Sequence, residues 1–526
     1  MSTLVRVVSS SESAARDASA IADGIPSRAL MQRAGAAAAS EIALRYRDRL
    51  GGQILILAGP GNNGGDAWVV ARALVSAGAH VRIVEPVPAK TDDARAEREL
   101  ALQQLDASRV ESGRDSDSLY RGEALIIDGL LGTGSKGAPH GELGRVIERL
   151  SSLSTRDAAL VALDVPSGLD ATTGDAQGAV AAADVTLSFG AMKRGHLVNR
   201  ELCGTVIVLD IGLGAHAALG DGAPQLIDEA WVGAQVPVIP ASAHKGVRKK
   251  LAIVGGAVGM VGATMLAARA AIRSGIGMVK LLVDEESLRA VQEGEPYALA
   301  AQWPADDAAV SRDIVEWADA VVIGPGLGRG DASAALLDRV LRRWTGPVLL
   351  DADALTLFEG RAAQLGQHLR GRAAVITPHP VEFSRLAGVP VEQVLAERYD
   401  VGRELAATLG ASVLLKGLPT VVTSPNGKRY VSASGNQALA TAGSGDVLSG
   451  IAGTMLAQIG DAFVAGSVAA WVHGRAAERV PGTKDTGVRG IALEDIINEL
   501  RDSWTFDVRP TRYPVLHELP NVGARR

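Results

Sequence analysis

Short apolar, β-branched runs recur along the whole chain at about the spacing of one helix, and this alternation limits the fold more than any other feature. In the first half the runs fall at 53–58, 80–84, 124–128, 159–164, 184–189 and 205–210. Helical periodicity near 10–22, 27–49, 66–77, 93–106 and 141–152 alternates with them. The rhythm restarts at 250–254, 278–283, 319–323, 347–351, 373–377 and 412–416. Strands separated by helices run parallel, with the helices covering both faces of the sheet. The expectation is therefore an α/β protein with two sheets. Periodicity is lost over 213–226, "LGAHAALGDGAPQL", which places a domain boundary there. The domains predicted are 1–215 and 227–502, with a linker at 216–226 and a C-terminal tail at 503–526.

Late in the second half the style changes. "PTVVTSPNGKRYVSAS" carries two β-rich runs around Asn426-Gly427, a pair suited to a type I′ hairpin turn. Ala-rich helices are predicted over 445–479 and near 493–502. Aromatic residues make up only 3% of the chain against 61 glycines, which suits close helix–sheet packing. The net charge of −6 gives no attraction for nucleic acid or an anionic membrane, and basic clusters such as Arg248-Lys249-Lys250 are short enough to be solvated surface. A single cysteine, Cys203, excludes an intramolecular disulfide and fits a reducing compartment. Residues 1–20 lack the apolar core of a secretory signal, and no apolar run has membrane-spanning character. A soluble, cytoplasmic protein is expected.

The first glycine turn, "ILILAGPGNNGGDAW", contains Gly59, Gly61 and Gly64 in dinucleotide-binding spacing, and Glu85 closes the next run where a ribose-binding acid would sit. Asp66, read as opening the helix after Asn62-Asn63, argues against ordinary pyrophosphate docking. A carboxylate in the first turn occupies the free N–H groups itself and repels a diphosphate. Taken alone, Asp66 reads equally well as a helix cap. The other strand ends add Asp128 before "GTGSKG", then Asp164, Ser167 and Asp170 in "LDVPSGLD". Ligands of open α/β sheets gather at carboxyl strand ends. Asn63, Asp128 and Ser167 offer oxygen donors for a monovalent cation, and Asp164 is the carboxylate best placed for proton transfer.

In the second half, "ATAGSGDVLSGIAG" opens a long helix with small residues, so that backbone N–H groups can face an anion beside Asp446. Such a carboxylate can take the proton of a hydroxyl as that hydroxyl is phosphorylated. "VIGPGLGRG", "ITPHPVEF" and "LLKGLPTVV" add Gly326, His379 with Glu382, and Lys416 with Gly417 at strand ends, with Lys416 expected at a sheet edge.

"GPGNNGGD", "DGLLGTG" and "DVPSGLD", with "IPSRALMQRAG" upstream, together resemble the NAD(P)H-hydrate epimerase domain over about residues 1–215. This resemblance implies a Rossmann-like three-layer αβα fold. It places the hydrated dinucleotide against Asn62, Asn63, Gly64, Gly65 and Asp66 and against Gly132, Thr133, Gly134, Ser135, Lys136, Gly137 and Ala138. It also implies K⁺ at Asn63, Asp128 and Ser167, with Asp164 in binding and catalysis. The later motifs, with "GGAVGMVGATMLAARAAIRSGIGMV", resemble the ADP-dependent NAD(P)H-hydrate dehydratase domain, of ribokinase-like fold, over about 235–500. That resemblance implies hydrate contacts at Ala263, Gly326, His379 and Asp446. It assigns the adenine nucleotide to Lys416, Gly417, Leu418, Pro419, Thr420 and Gly445, with Mg²⁺ arriving on the nucleotide. Departures are Ala67 and Val381 where Gly is common, and Gly256 where Ser is usual.

The two halves together imply a nicotinamide-nucleotide repair enzyme: an isomerase for the two epimers of hydrated NADH and NADPH, and a lyase that restores NAD(P)H from one of them, consuming ADP and releasing AMP and phosphate. A homo-oligomer is expected by the same resemblance. Two other classes stay open on the residues alone. One is a ribokinase-like small-molecule kinase with an N-terminal regulatory nucleotide-binding domain. The other is a nucleotide sensor without catalysis.

Overall fold

Each predicted run in the first half becomes a strand because both of its faces find helices to pack on. In the computed structural model the strands of this half are β1 (Val7–Val8), β2 (Gln53–Ala58), β3 (His80–Glu85), β4 (Val110–Ser112), β5 (Leu125–Gly129), β6 (Ala159–Leu163), β7 (Val185–Phe189), β8 (Met192–Lys193) and β9 (Thr205–Leu209), of which β1, β4 and β8 correspond to no predicted run. The structure describes residues 4–106, 109–112, 119–153, 158–218, 222–480, 488–508 and 510–522. Ile54 and Ile56 of β2 point into one core with Trp68 and Ala38, while Leu55 and Leu57 point into another with Val146 and Ile147. This is the period-2 alternation of a strand buried on both faces.

The second half supplies β10 (Gln225–Leu226), β11 (Lys250–Val254), β12 (Met278–Val283), β13 (Leu299–Gln302), β14 (Ala320–Ile323), β15 (Val348–Leu350), β16 (Ala374–Ile376), β17 (Ser412–Leu415), β18 (Thr420–Thr423) and β19 (Arg429–Ser432). Their order is β10-β19-β18-β17-β16-β15-β14-β11-β12-β13, parallel throughout except for β18, which runs against both of its neighbours. A last strand, β20 (Val515–Leu519), belongs to the other sheet, whose order is β20-β9-β7-β6-β5-β2-β3-β4.

The chain divides into two compact units. One takes Val5–Ala223 and Arg509–Val522, the other Pro224–Val508 together with Leu4. The division falls inside the range read as a linker, where residues 219–221 lie outside the described residues. The end of that range is structured, since β10 pairs in parallel with β19. The range read as a tail also differs from its reading. It begins within helix Leu493–Ser503, and β20 pairs antiparallel with β9, while 509 and 523–526 lie outside the described residues. Alternation over Val515–Leu519 is partial (half-exposed, exposed, half-exposed, exposed, buried), as suits an edge strand, and five residues are too few to stand out by periodicity.

The hairpin turn is likewise not type I′. Only Gly427 of the pair has positive φ (+82°), and its N–H donates to the Ser424 carbonyl at 2.9 Å. Pro425 sits at the second position of that turn, where its fixed φ favours an ordinary turn followed by one left-handed glycine.

Ser9 caps Ser10–Ala22 in a capping box with Glu12. Helix Ser27–Arg45 stops four residues short of its expected end. Among the described residues no helix is long and apolar enough to cross a membrane.

Candidate functional site

In the first sheet the chain runs outward from β2 through β3 and β4, then returns to β5 on the other side of β2. Ligand crevices form at such reversals, outside the carboxyl ends of the strands. Here a cavity of about 550 Å³ opens, walled by Asn62, Asn63, Asp66, the Gly132–Ser135 stretch, Asp164, Asp17 and Lys193. Helix Asn62–Ser76 starts at Asn62, one turn earlier than the sequence indicated. Asp66 is therefore not a cap, and its carboxylate does not shield the helix terminus from an anion. Gly59 and Gly64 are demanded by packing. A Cβ on Gly64 would lie 1.8 Å from the Gly59 carbonyl oxygen, and one on Gly59 equally close to that of Leu130. Glu85 is not a free ribose acceptor, because Arg98 grips both its carboxylate oxygens at 2.8 and 2.9 Å.

Asp164 follows β6 with φ +62°, a conformation rare for a residue with a side chain and worth relating to function. Its Oδ1 accepts from the Phe189 amide at 3.1 Å and from Lys193 Nζ. Lys193 is 1% exposed and donates also to the Phe189 carbonyl (2.8 Å) and to Ser188 Oγ (3.1 Å). Burial pushes the Asp66 carboxyl well above the usual carboxylate range, and the charges of Asp164 and Asp17 push the same way. Asp17 is raised by burial too, with Lys193 opposing. His196, wholly buried, is held neutral down to about 3.

Beside this cavity, Ser167 donates Oγ–H to Asp128 Oδ1 at 2.7 Å, and its amide donates to Oδ2 at 2.9 Å. Asp128 is wholly buried and burial raises its carboxyl, with these bonds opposing. Asn63 spends its NH₂ on the carbonyls of Leu131 (2.8 Å) and Leu163 (3.1 Å), while its buried Oδ1 has no partner among the described residues. A buried orphan acceptor and a buried carboxylate without a cation form an oxygen donor set that fits a hard monovalent ion.

In the second unit the strand ends of β15, β16 and β17 converge on the start of helix Ser444–Ile459. Lys416, directly after β17, donates to Asp351 Oδ1 at 2.9 Å and lies 3.7 Å from Glu382. Strand β17 is interior, so Lys416 emerges within the sheet and not at its edge. Ser449 Oγ–H donates to the other oxygen of Asp351 at 2.7 Å. Gly445 leaves room for this group, since a Cβ there would sit 3.2 Å from Lys416 Nζ. Asp446, in the first turn of the helix, is pushed up to about 7 by burial, with Asp351 adding to the rise and Lys416 opposing it. The first-turn amides of Gly445 and Asp446 have no acceptor within the helix. His379 serves as N-cap of helix Pro380–Ala387: Nδ1 accepts from the amides of Val381 (3.1 Å) and Glu382 (3.3 Å).

Residues 27–195 match the family described as YjeF-related protein N-terminus, and residues 251–500 match NAD(P)H-hydrate dehydratase. The bifunctional NAD(P)H-hydrate repair enzyme Nnr of Moorella thermoacetica is 33% identical over 499 residues, covering 90% of this chain and 92% of that protein. This chain belongs to the bifunctional NAD(P)H-hydrate repair enzyme family. The Escherichia coli K12 member is also 33% identical, over 90% of this chain and 88% of its own. A solved ADP/ATP-dependent NAD(P)H-hydrate dehydratase from Bacillus subtilis overlays 53% of this chain and 96% of its own, at 30% identity and a TM-score of 0.46.

Not every residue singled out in this repair-enzyme sequence reaches a site in the same way. Gly64 and Gly65 are buried behind the first cavity wall, and Lys136, Gly137 and Ala138 are exposed beyond it. Ala263 is half-buried in the first turn of helix Val261–Arg273, which packs along Ser444–Ile459. Gly326 accepts from the Ala257 amide at 2.7 Å. The 416–420 loop is held by Arg398, which donates to the carbonyls of Lys416 (3.4 Å) and Pro419 (3.0 Å), and by Thr420 Oγ1–H on the Gly417 carbonyl (2.8 Å). Leu418, half-exposed, precedes Pro419 through a cis peptide. Three site residues were not signalled by motif: Asp17, Lys193 and Asp351. The available signal for Asp351 was its place directly after an apolar run.

Proposed function

We propose that the first unit interconverts the two epimers of hydrated NADH and NADPH, and that the second dehydrates the S epimer with ADP, releasing AMP and phosphate. The observation that carries the reading is Asp446, set in the first turn of a helix with free amides and beside the Lys416–Asp351 pair. Asp446 takes the proton of the substrate hydroxyl while the first-turn amides and Lys416 hold the charge of the transferring phosphoryl group. The phosphorylated hydroxyl then departs as phosphate with loss of the neighbouring ring proton, which restores the double bond. The overall balance is hydrate plus ADP giving NAD(P)H, AMP and phosphate.

Mg²⁺ would arrive on the nucleotide phosphates and screen their charge. In the first unit Asp164 is the acid–base group as the hydroxyl of the stereocentre is lost and regained, and Asn63 Oδ1, Asp128 and Ser167 would hold K⁺, which neutralises the buried Asp128 carboxylate. A kinase of the ribokinase-like type is not favoured, because the curated relatives align across both units.

The test is direct. Hydrated NADH supplied with ADP should regain the near-ultraviolet absorbance of NADH, from both epimers in full. Consumption of ATP on a sugar or vitamin with the hydrate untouched would overturn the reading. A second outcome concerns the cation. Replacing K⁺ by tetramethylammonium at constant ionic strength should slow epimerisation roughly tenfold or more, and Asp128→Asn should abolish that dependence. Dehydration of pure S epimer, followed in parallel, isolates the effect to the first unit.

A further inference from the structure

Inverting the hydrate's stereocentre requires the C–O bond to break on one face of the ring and form again on the other. The carbon bearing the hydroxyl adjoins the ring nitrogen. A carboxylic acid gives its proton to the hydroxyl, the C–O bond breaks, and water leaves as the nitrogen lone pair forms C=N⁺. Water then adds to the opposite face, the new C–O bond forms, and the spare proton passes to a carboxylate. No oxidant, reductant or co-reactant other than water is needed. The step does need one protonated and one ionised carboxyl in the same cavity, on different walls.

The first cavity offers both kinds. Asp164 is paired with the Lys193 ammonium and accepts from the Phe189 amide, the surroundings of a proton acceptor. Asp66 is only 8% exposed, lines the cavity, and has no hydrogen-bond partner among the described residues. Asp93 also lines it but is engaged by Ser27 Oγ at 2.6 Å. Asp66 and Asp164 both rise from the carboxyl end of the sheet, on the helix after β2 and directly after β6. Asp17 enters from helix Ser10–Ala22, a separate wall.

We infer that Asp17 is the second proton-transfer group of the epimerase, working from the opposite side of the ring to Asp164; this rests on the epimerase reading above. In support, burial raises the Asp17 carboxyl and the charge of Asp164 adds to the rise, while Lys193 and Arg16 oppose it. Asp66, His196 and Asp93 complete the charged and titratable groups around the pair.

The experiment uses the full chain and the separated R and S hydrates in ¹⁸O-water. The wild type should incorporate ¹⁸O into the hydroxyl at the rate of epimerisation. Asp17→Asn should slow both together by about 100-fold or more in kcat, with KM changed by less than about threefold. Asp17→Glu should restore much of the rate, and ADP-dependent dehydration of the S epimer should be unchanged in either variant. The inference is overturned if Asp17→Asn epimerises within about threefold of wild type, or if epimerisation proceeds without ¹⁸O uptake. Should Asp17→Asn lose its cooperative melting transition, Asp17→Glu decides: a folded variant without restored epimerisation overturns the inference. A wild-type chain unable to interconvert the epimers at all sinks the underlying reading itself and this inference with it.

Discussion

Asp446→Asn is expected to abolish ADP-dependent dehydration, with a fall in kcat of about a thousandfold or more, while epimerisation in the same preparation stays at the wild-type rate. The asparagine keeps the shape of the helix start but cannot take the hydroxyl proton. The surrounding groups sharpen the prediction. Asp446 shares its environment with Asp351, Glu382 and Asp353 against the single ammonium of Lys416, and it is the member whose carboxyl is pushed up to about 7. Such a group is divided between acid and base near neutrality, which suits a proton acceptor that must also release its proton between turnovers. The rate of dehydration at low substrate should therefore rise as pH is raised through about 7 and level off above it. A profile flat from pH 6 to 8.5 would count against Asp446 as the base.

The same carboxyl has a stability signature of definite sign. Its folded value lies above the ordinary 3.8, so between about 4 and 7 the folded chain holds a proton that the unfolded chain has released. Stability due to this group is thus complete below about 4 and declines as pH rises through about 7. Asp446→Asn removes that decline. Its melting temperature relative to wild type should grow from pH 4 to pH 7, while its activity is lost. A residue that is destabilising and indispensable at once is one placed for chemistry and not for folding.

Much of this arrangement is written locally. The strands of both sheets are continuous apolar runs because helices cover both faces, so run length and spacing locate them. Asp128, Asp164 and Lys416 could be read because each stands at or directly after the end of such a run. Other features depend on contacts between distant segments. Asp17 and Lys193 meet Asp164 only through the tertiary fold, and an aspartate on helix Ser10–Ala22 is by itself an ordinary surface residue. The start of the helix at Asn62 was misplaced because Asn-Asn-Gly-Gly reads as a turn, whereas close packing of Gly64 on Gly59 forces helical backbone one turn early. Strands β1, β4, β8, β10 and β13 and the edge strand β20 were missed for a related reason: each is short, and its pairing, not its hydrophobicity, defines it.

Asp164→Asn is expected to separate the two activities in the opposite sense, with a penalty in stability that Asp446→Asn does not share. Asparagine tolerates the positive φ of this position nearly as well as aspartate, so the turn after β6 should persist. The charge does not persist. Lys193 then keeps only the Phe189 carbonyl and Ser188 Oγ, and a buried ammonium without its anion costs on the order of 3 kcal/mol. Epimerisation should drop by about a hundredfold or more. In a mixed hydrate sample with ADP, NADH should reappear quickly from the S fraction and then stall, leaving the R epimer. The double variant Asp164→Asn with Lys193→Met distinguishes the two roles. Removing the stranded charge should return most of the lost stability, as an apolar side chain of similar length occupies the same channel, yet the R epimer should remain unrepaired. Recovery of epimerisation along with stability would mean that Asp164 serves the fold alone, and the acid–base assignment of the first cavity would fall.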